Sequence, residues 1–130
     1  MKPVNAFIVD DDKLFVFLTK KTINSTKLAT KVNEFGDGQE ALDFLKEHAH
    51  ESEVLPDIIL LDLSMPIMDG WEFLEEFKSI KPGIEKDTKL YIFSSSISPH
   101  DIERAKTISL VNDFVIKPLT QEKFIEMIGA

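Results

Sequence analysis

Apolar residues along this chain follow two alternating rhythms. Phe7-Ile8-Val9, Ile58–Leu61, Leu90–Phe93 and Phe114-Val115-Ile116 are short, unbroken apolar runs of the length expected for buried strands. The run Ile58–Leu61 is apolar on both faces, as a central parallel strand is. Thr30–Phe35 alternates instead, with Thr30, Val32 and Glu34 facing opposite to Lys31, Asn33 and Phe35, which predicts the least buried strand, at an edge. Between the runs the spacing turns helical. Leu14, Phe17, Leu18 and Ile23 predict an inward stripe on a helix over Lys13–Asn24, and Ala41, Leu42, Leu45 and Ala49 a second stripe. Trp71, Leu74 and Phe77 mark a third helix, Ile102, Ala105 and Ile108 a fourth with a narrow stripe, and Phe124, Met127 and Ile128 a fifth.

Punctuation agrees with this rhythm. Asp37-Gly38-Gln39-Glu40 and Asp69-Gly70-Trp71-Glu72 have the spacing of capping boxes, while Asp12 and Thr120 stand where N-caps are expected. Ser98-Pro99 opens the fourth helix with proline at its first position, and Lys81-Pro82-Gly83 ends the third. Strand and helix alternate five times, which predicts a right-handed, doubly wound α/β domain.

Length and charge narrow the classes. The chain has 130 residues, enough for one domain over 1–130 with its own core and no room for a second folded module. It contains no cysteine, which excludes disulfides, thiol catalysis and thiolate metal sites. A formal net charge of −8 argues against direct binding to nucleic acid. No signal peptide precedes the first run, and no apolar run approaches the ~18 residues needed to cross a membrane. The expected location is cytoplasmic, without membrane insertion.

Candidate chemistry sits at the ends of the apolar runs. The first leads into Asp10-Asp11-Asp12, the central one into Asp62, the next into Ser94-Ser95-Ser96 and the last into Lys117-Pro118. An open parallel sheet gathers its functional groups at the carboxyl ends of its strands. If these runs are neighbours, carboxylates, a hydroxyl and an ammonium converge. Carboxylates crowded together stay ionised only when a cation compensates them, and hard oxygen ligands in small number suit magnesium. Taken singly each residue has a plainer reading: Asp62 a loop cap, the three serines turn residues, Lys117 an exposed turn lysine. Asp12 is best placed as a helix cap, and Trp71 as core. His48 and His50 are two apart, on different helix faces, and are not expected to share a metal. His100 is expected to be solvated.

Together these segments resemble the receiver domain of two-component response regulators over essentially the whole chain. The resemblance rests on Phe7–Asp12, on Pro56–Gly70 with its Asp-x-x-Met-Pro-x-Met-Asp-Gly pattern, and on Phe114–Pro118. It implies a flavodoxin-like five-stranded parallel sheet in the order 2-1-3-4-5. It implies that Asp62 is the phosphoacceptor, and that Asp10, Asp11, Asp62 and the backbone carbonyl of Ser64 hold magnesium, or manganese in its place. Lys117 would contact the phosphoryl group, with Ser94 as the switch hydroxyl and Phe114 as the aromatic switch position. Ser94 departs from the commoner threonine, and Phe114 from the tyrosine of some members. The implied partners are a histidine kinase or histidine phosphotransfer protein and a downstream effector that reads the surface of helix four, strand five and helix five.

Three rivals are weaker. An aspartyl-phosphate hydrolase would carry its nucleophile after the first strand in an Asp-x-Asp arrangement, whereas Asp10 and Asp11 are adjacent. A flavodoxin-type electron carrier needs a hydroxyl- and glycine-rich loop where this chain has three acids. A receiver-like module that binds constitutively is disfavoured because every chemical position is filled.

Overall fold

The computed structural model describes residues 4–95 and 98–129. Ser96, and the side chain of Thr30, lie outside the described residues. The strands are β1 (Val4–Val9), β2 (Ala29–Phe35), β3 (Ile58–Leu61), β4 (Lys89–Ser94) and β5 (Val111–Ile116). The helices are α1 (Lys13–Thr26), α2 (Gly38–Glu47), α3 (Gly70–Ile80), α4 (Pro99–Lys106) and α5 (Gln121–Ile128), with a 3-10 turn at Lys81–Gly83. All pairings are parallel and the order is β2-β1-β3-β4-β5. The fold is the flavodoxin-like one expected, and the alternating strand β2 does lie at an edge.

Two apolar cores form, one on each face of the sheet. One joins Phe7, Val9, Ile59 and Leu61 to Leu42 and Leu45 of α2 and to Phe73, Leu74 and Phe77 of α3. The other joins Ala6, Ile8, Leu60 and Phe93 to Val16 and Ile23 of α1 and to Phe124 and Met127 of α5. Period-two alternation sends neighbours in β1 and β3 to opposite cores, which is why both strands are apolar throughout.

Helix starts follow the capping signals. The Asp12 carboxylate accepts the N–H groups of Leu14 and Phe15, and the Asp69–Glu72 pair forms a complete capping box. At α2 only half the box forms: Asp37 accepts the Glu40 N–H, while the Glu40 carboxylate reaches back to Gly36 N–H.

Two expectations need correction. In α1 Ile23 faces inward as expected, but its companions there are Val16 and Thr19, whereas Leu14, Phe17 and Leu18 are 65%, 62% and 41% exposed. Apolar residues stand on more than one face of this helix, so spacing alone did not choose between them. In α3 the buried residues Phe73, Leu74 and Phe77 face the core, and Trp71, half-buried, packs against it as expected, with the Arg104 guanidinium 4.3 Å from its ring centre. β5 also begins earlier than its apolar run, at Val111, through the polar pair Asn112 and Asp113.

Candidate phosphoryl-transfer site

The sheet's own hydrogen bonding carries three candidate residues to one rim. Beyond the strand ends, Asp10 N–H donates to Phe35 O, Asp62 N–H to Val9 O, and Lys117 N–H to Ser94 O, each at 2.9 Å. Asp10, Asp62 and Lys117 are therefore placed by backbone ladders rather than by mobile loops. The carboxylates of Asp10, Asp11 and Asp62 each offer an oxygen, all within 4.8 Å of one another. Asp10 and Asp62 are buried and Asp11 is exposed, so the cluster is open on one side. It opens onto a groove of about 970 Å³ lined by Asp10, Asp11, Phe17, Lys20, Phe35 and Glu40, among others.

Lys117 sits closer to Asp10 than to Asp62. Its Nζ is 2.6 Å from Asp10 Oδ2 and 3.9 Å from Asp62 Oδ1. Asp10 Oδ1 accepts the Asp12 N–H at 2.9 Å. Asp10 Oδ2 is buried and, despite its short contact with the ammonium, takes no hydrogen bond of good geometry among the described residues. An under-satisfied buried carboxylate oxygen beside two further acids suits a hard divalent cation, and the donor set fits magnesium. Burial pushes the Asp62 carboxyl up to about 6 from 3.8, and the Asp10 charge pushes the same way, while Lys117 and a backbone hydrogen bond from Ser64 pull it down.

The remaining candidates lie on the same side. Ser94 ends β4 opposite Ile116, and Phe114 pairs with Ile92 two positions back. Alternation puts Ser94, Ile92, Phe114 and Ile116 on one face, with Phe114 half-buried. Ser64 follows Asp62 in an exposed loop. That loop is pressed against α3: Gly70 N–H donates to Leu63 O at 3.0 Å, and a Cβ on Gly70 would lie 2.6 Å from Asp62 O. Ile67, within the loop, has φ +66° and is 81% exposed. A β-branched residue rarely adopts that conformation, and such strain clusters at functional sites. His48 and His50 do stand apart, paired with Glu51 and Glu85 respectively, and His100 is exposed. Phe15 was not singled out from sequence, yet its ring centre is 4.6 Å from Lys117 Nζ.

Five parallel strands in this order with a carboxylate cluster at their carboxyl rim define a class, and comparison with known proteins agrees. The sequence profile of the response regulator receiver domain matches residues 6–129, and the chain belongs to that family. A two-component response regulator from Cytophaga hutchinsonii superposes with a TM-score of 0.88 at 27% identity, covering 99% of this chain and 96% of that one. The probable methanogenesis regulatory protein FilR2 of Methanothrix harundinacea is 29% identical over 120 residues, 92% of this chain and 76% of that protein. A protein-glutamate methylesterase/protein-glutamine glutaminase of Pseudomonas aeruginosa is 31% identical over 117 residues, 89% of this chain but 30% of that protein. The chain is thus a receiver domain of two-component signalling, in which a phosphoacceptor role is the family's function. Among the described residues no helix is long and apolar enough to cross a membrane.

Proposed function

We propose that Asp62 is the acceptor, taking a phosphoryl group from the phosphohistidine of a kinase or phosphotransfer protein in the cytoplasm. The observation that carries this reading is the convergence of three carboxylates and a buried ammonium at the rim where the central strand ends. One Asp62 oxygen forms the P–O bond while the donor's P–N bond breaks, its electron pair returning to the imidazole nitrogen. Asp10, Asp11, Asp62 and the Ser64 carbonyl would hold magnesium, or manganese in its place, which when bound supplies positive charge against the phosphoryl oxygens. Lys117 supplies a second, compact charge and turns from Asp10 toward the transferred group. Residues 6–129, matched by the receiver profile, act as one signalling unit. The methylesterase activity named for a relative is not carried over, since the match spans 30% of that protein.

The apolar residues left exposed support a docking place for the donor. Leu14, Phe17 and Leu18 begin α1, Ile67 lies in the loop after Asp62, and Ile116 ends β5; all are at least 41% exposed. These segments all adjoin the carboxyl rim of the sheet.

Two experiments test the reading. With magnesium and phosphoramidate, the protein should gain one acid-stable, base-labile phosphoryl group by intact mass. Asp11→Ala should weaken magnesium binding at least tenfold by calorimetry and slow the labelling. Labelling that proceeds equally well in a chelator, or an unchanged magnesium affinity in Asp11→Ala, would overturn it.

Phosphorylation then acts through Ser94 and Phe114. A hydroxyl drawn toward the phosphoryl group vacates room on the face it shares with the half-buried ring, which biases the surface of α4, β5 and α5. Ser94→Ala is expected to accept the phosphoryl group but transmit it poorly, losing about 1–3 kcal/mol of coupling. Amide exchange in α4 and β5 with and without beryllofluoride reads this directly. Equal changes in parent and variant would remove Ser94 from the switch and make Ser95 the next candidate.

A further inference from the structure

Lys117 has surroundings that its charge partners alone do not explain. Its side chain is only 4% exposed, and its ammonium faces two aromatic rings as well as two carboxylates. The ring centre of Phe15 lies 4.6 Å from Nζ and that of Phe93 5.4 Å. Phe93 is fully buried in β4 and belongs to the core of its sheet face. Phe15 does not: it is half-buried, in the first turn of α1, and the residues by which α1 enters the core are Val16, Thr19 and Ile23. The turn that carries Phe15 is fixed by the Asp12 carboxylate, which accepts the Phe15 N–H at 3.2 Å.

A phenyl face attracts an ammonium without imposing the direction that a hydrogen bond does. Asp10 holds the cation 2.6 Å from its Oδ2, while a phosphoryl group on Asp62 needs it at a different place. Between two rings the ammonium can move from one oxygen to the other and stay attracted throughout, out of reach of competing water. The attraction is larger where the cation is desolvated, as here.

We propose that Phe15 is a positioning residue for phosphoryl transfer: with Phe93 it forms an aromatic clamp on which the Lys117 ammonium passes from Asp10 to the phosphoryl oxygens. This rests on Asp62 being the acceptor. It also gives the first turn of α1 a part in the chemistry, next to the exposed Leu14, Phe17 and Leu18.

The test separates ring electrostatics from packing. Phe15 is replaced in the full chain by mono-, di- and trifluorophenylalanine, which withdraw charge from the ring face at nearly constant shape, and by leucine. Phosphorylation from phosphoramidate at saturating magnesium should slow stepwise along the fluorinated series at unchanged thermal midpoint, and about tenfold in Phe15→Leu. Independently of any phosphorylation, the Lys117 Cε protons should be shifted upfield by ring currents in the parent and move back in Phe15→Leu. A flat rate across the fluorinated series, or Lys117 resonances unmoved by Phe15→Leu, would overturn the clamp while leaving Asp62 as acceptor. A parent that takes no phosphoryl group at Asp62 would overturn both.

Discussion

Asp62→Asn is expected to take no phosphoryl group and, in metal-free buffer above about pH 6, to be more stable than the parent. The loss of labelling follows from removing the nucleophilic oxygen. The gain in stability follows from the carboxyl's position at about 6 in the folded protein, against 3.8 ordinarily, the main cause being burial and the next the Asp10 charge. Well below pH 3.8 the group is protonated in both folded and unfolded chains and contributes nothing. As pH rises from there to 6, the unfolded chain releases its proton first, so the folded state loses stability. Above 6 the full penalty of roughly 2–3 kcal/mol persists. Asparagine has no such penalty. Parent and variant should therefore have similar urea midpoints near pH 3 and diverge toward pH 8, with magnesium narrowing the gap by stabilising the parent alone. Equal stabilities at pH 8 in chelator would show that Asp62 is not held under strain, and labelling of the variant would move the acceptor elsewhere.

The second large effect is expected at a residue with no functional group. Gly70→Ala puts a Cβ 2.6 Å from Asp62 O and 2.8 Å from Leu63 Cα, both backbone atoms that cannot swing aside. At an ordinary helix position alanine would be favoured over glycine by up to about 1 kcal/mol. Here overpacking should reverse the sign and cost about 1–3 kcal/mol. The relief available is movement of the Asp62 backbone, and displacement of a reacting group by ~1 Å can cost on the order of 100-fold in rate. Slower labelling than the stability loss explains is therefore predicted. Gly83→Ala is the control, since a Cβ there meets nothing within 4 Å. A Gly70→Ala protein as stable and as readily labelled as that control would disprove the contact.

Much of this was legible beforehand because parallel sheets bring strand ends together. Once four apolar runs were read as strands, Asp10, Asp62, Ser94 and Lys117 had to share a rim. What was not legible depends on facing and partner choice. Beyond Ile23, the face of α1 is not legible because Leu14, Phe17 and Leu18 satisfy helical spacing as well as Val16 and Thr19 do, and only the packing against the sheet decides. The preference of Lys117 for Asp10 over Asp62 is a matter of 1–2 Å that spacing does not encode. Phe15 gave no signal at all, since an aromatic residue one turn into a helix is ordinary. β5 was read short because Asn112 and Asp113 break its apolar run.

Those same two residues have a consequence for how the protein behaves at high concentration. β5 is an outer strand of the sheet, and an outer strand is a ready template for another chain. Asn112 turns its side-chain oxygen inward and accepts the Leu90 N–H at 3.0 Å, filling the irregularity where the β4–β5 register shifts. Asp113 bends its carboxylate onto the N–H of Phe114 at 2.8 Å, taking up a main-chain donor that an added strand would need. It also adds a negative charge to an edge that ends in the exposed Ile116. The polar interruption that hides this strand in the sequence is thus what makes it a poor seed for aggregation.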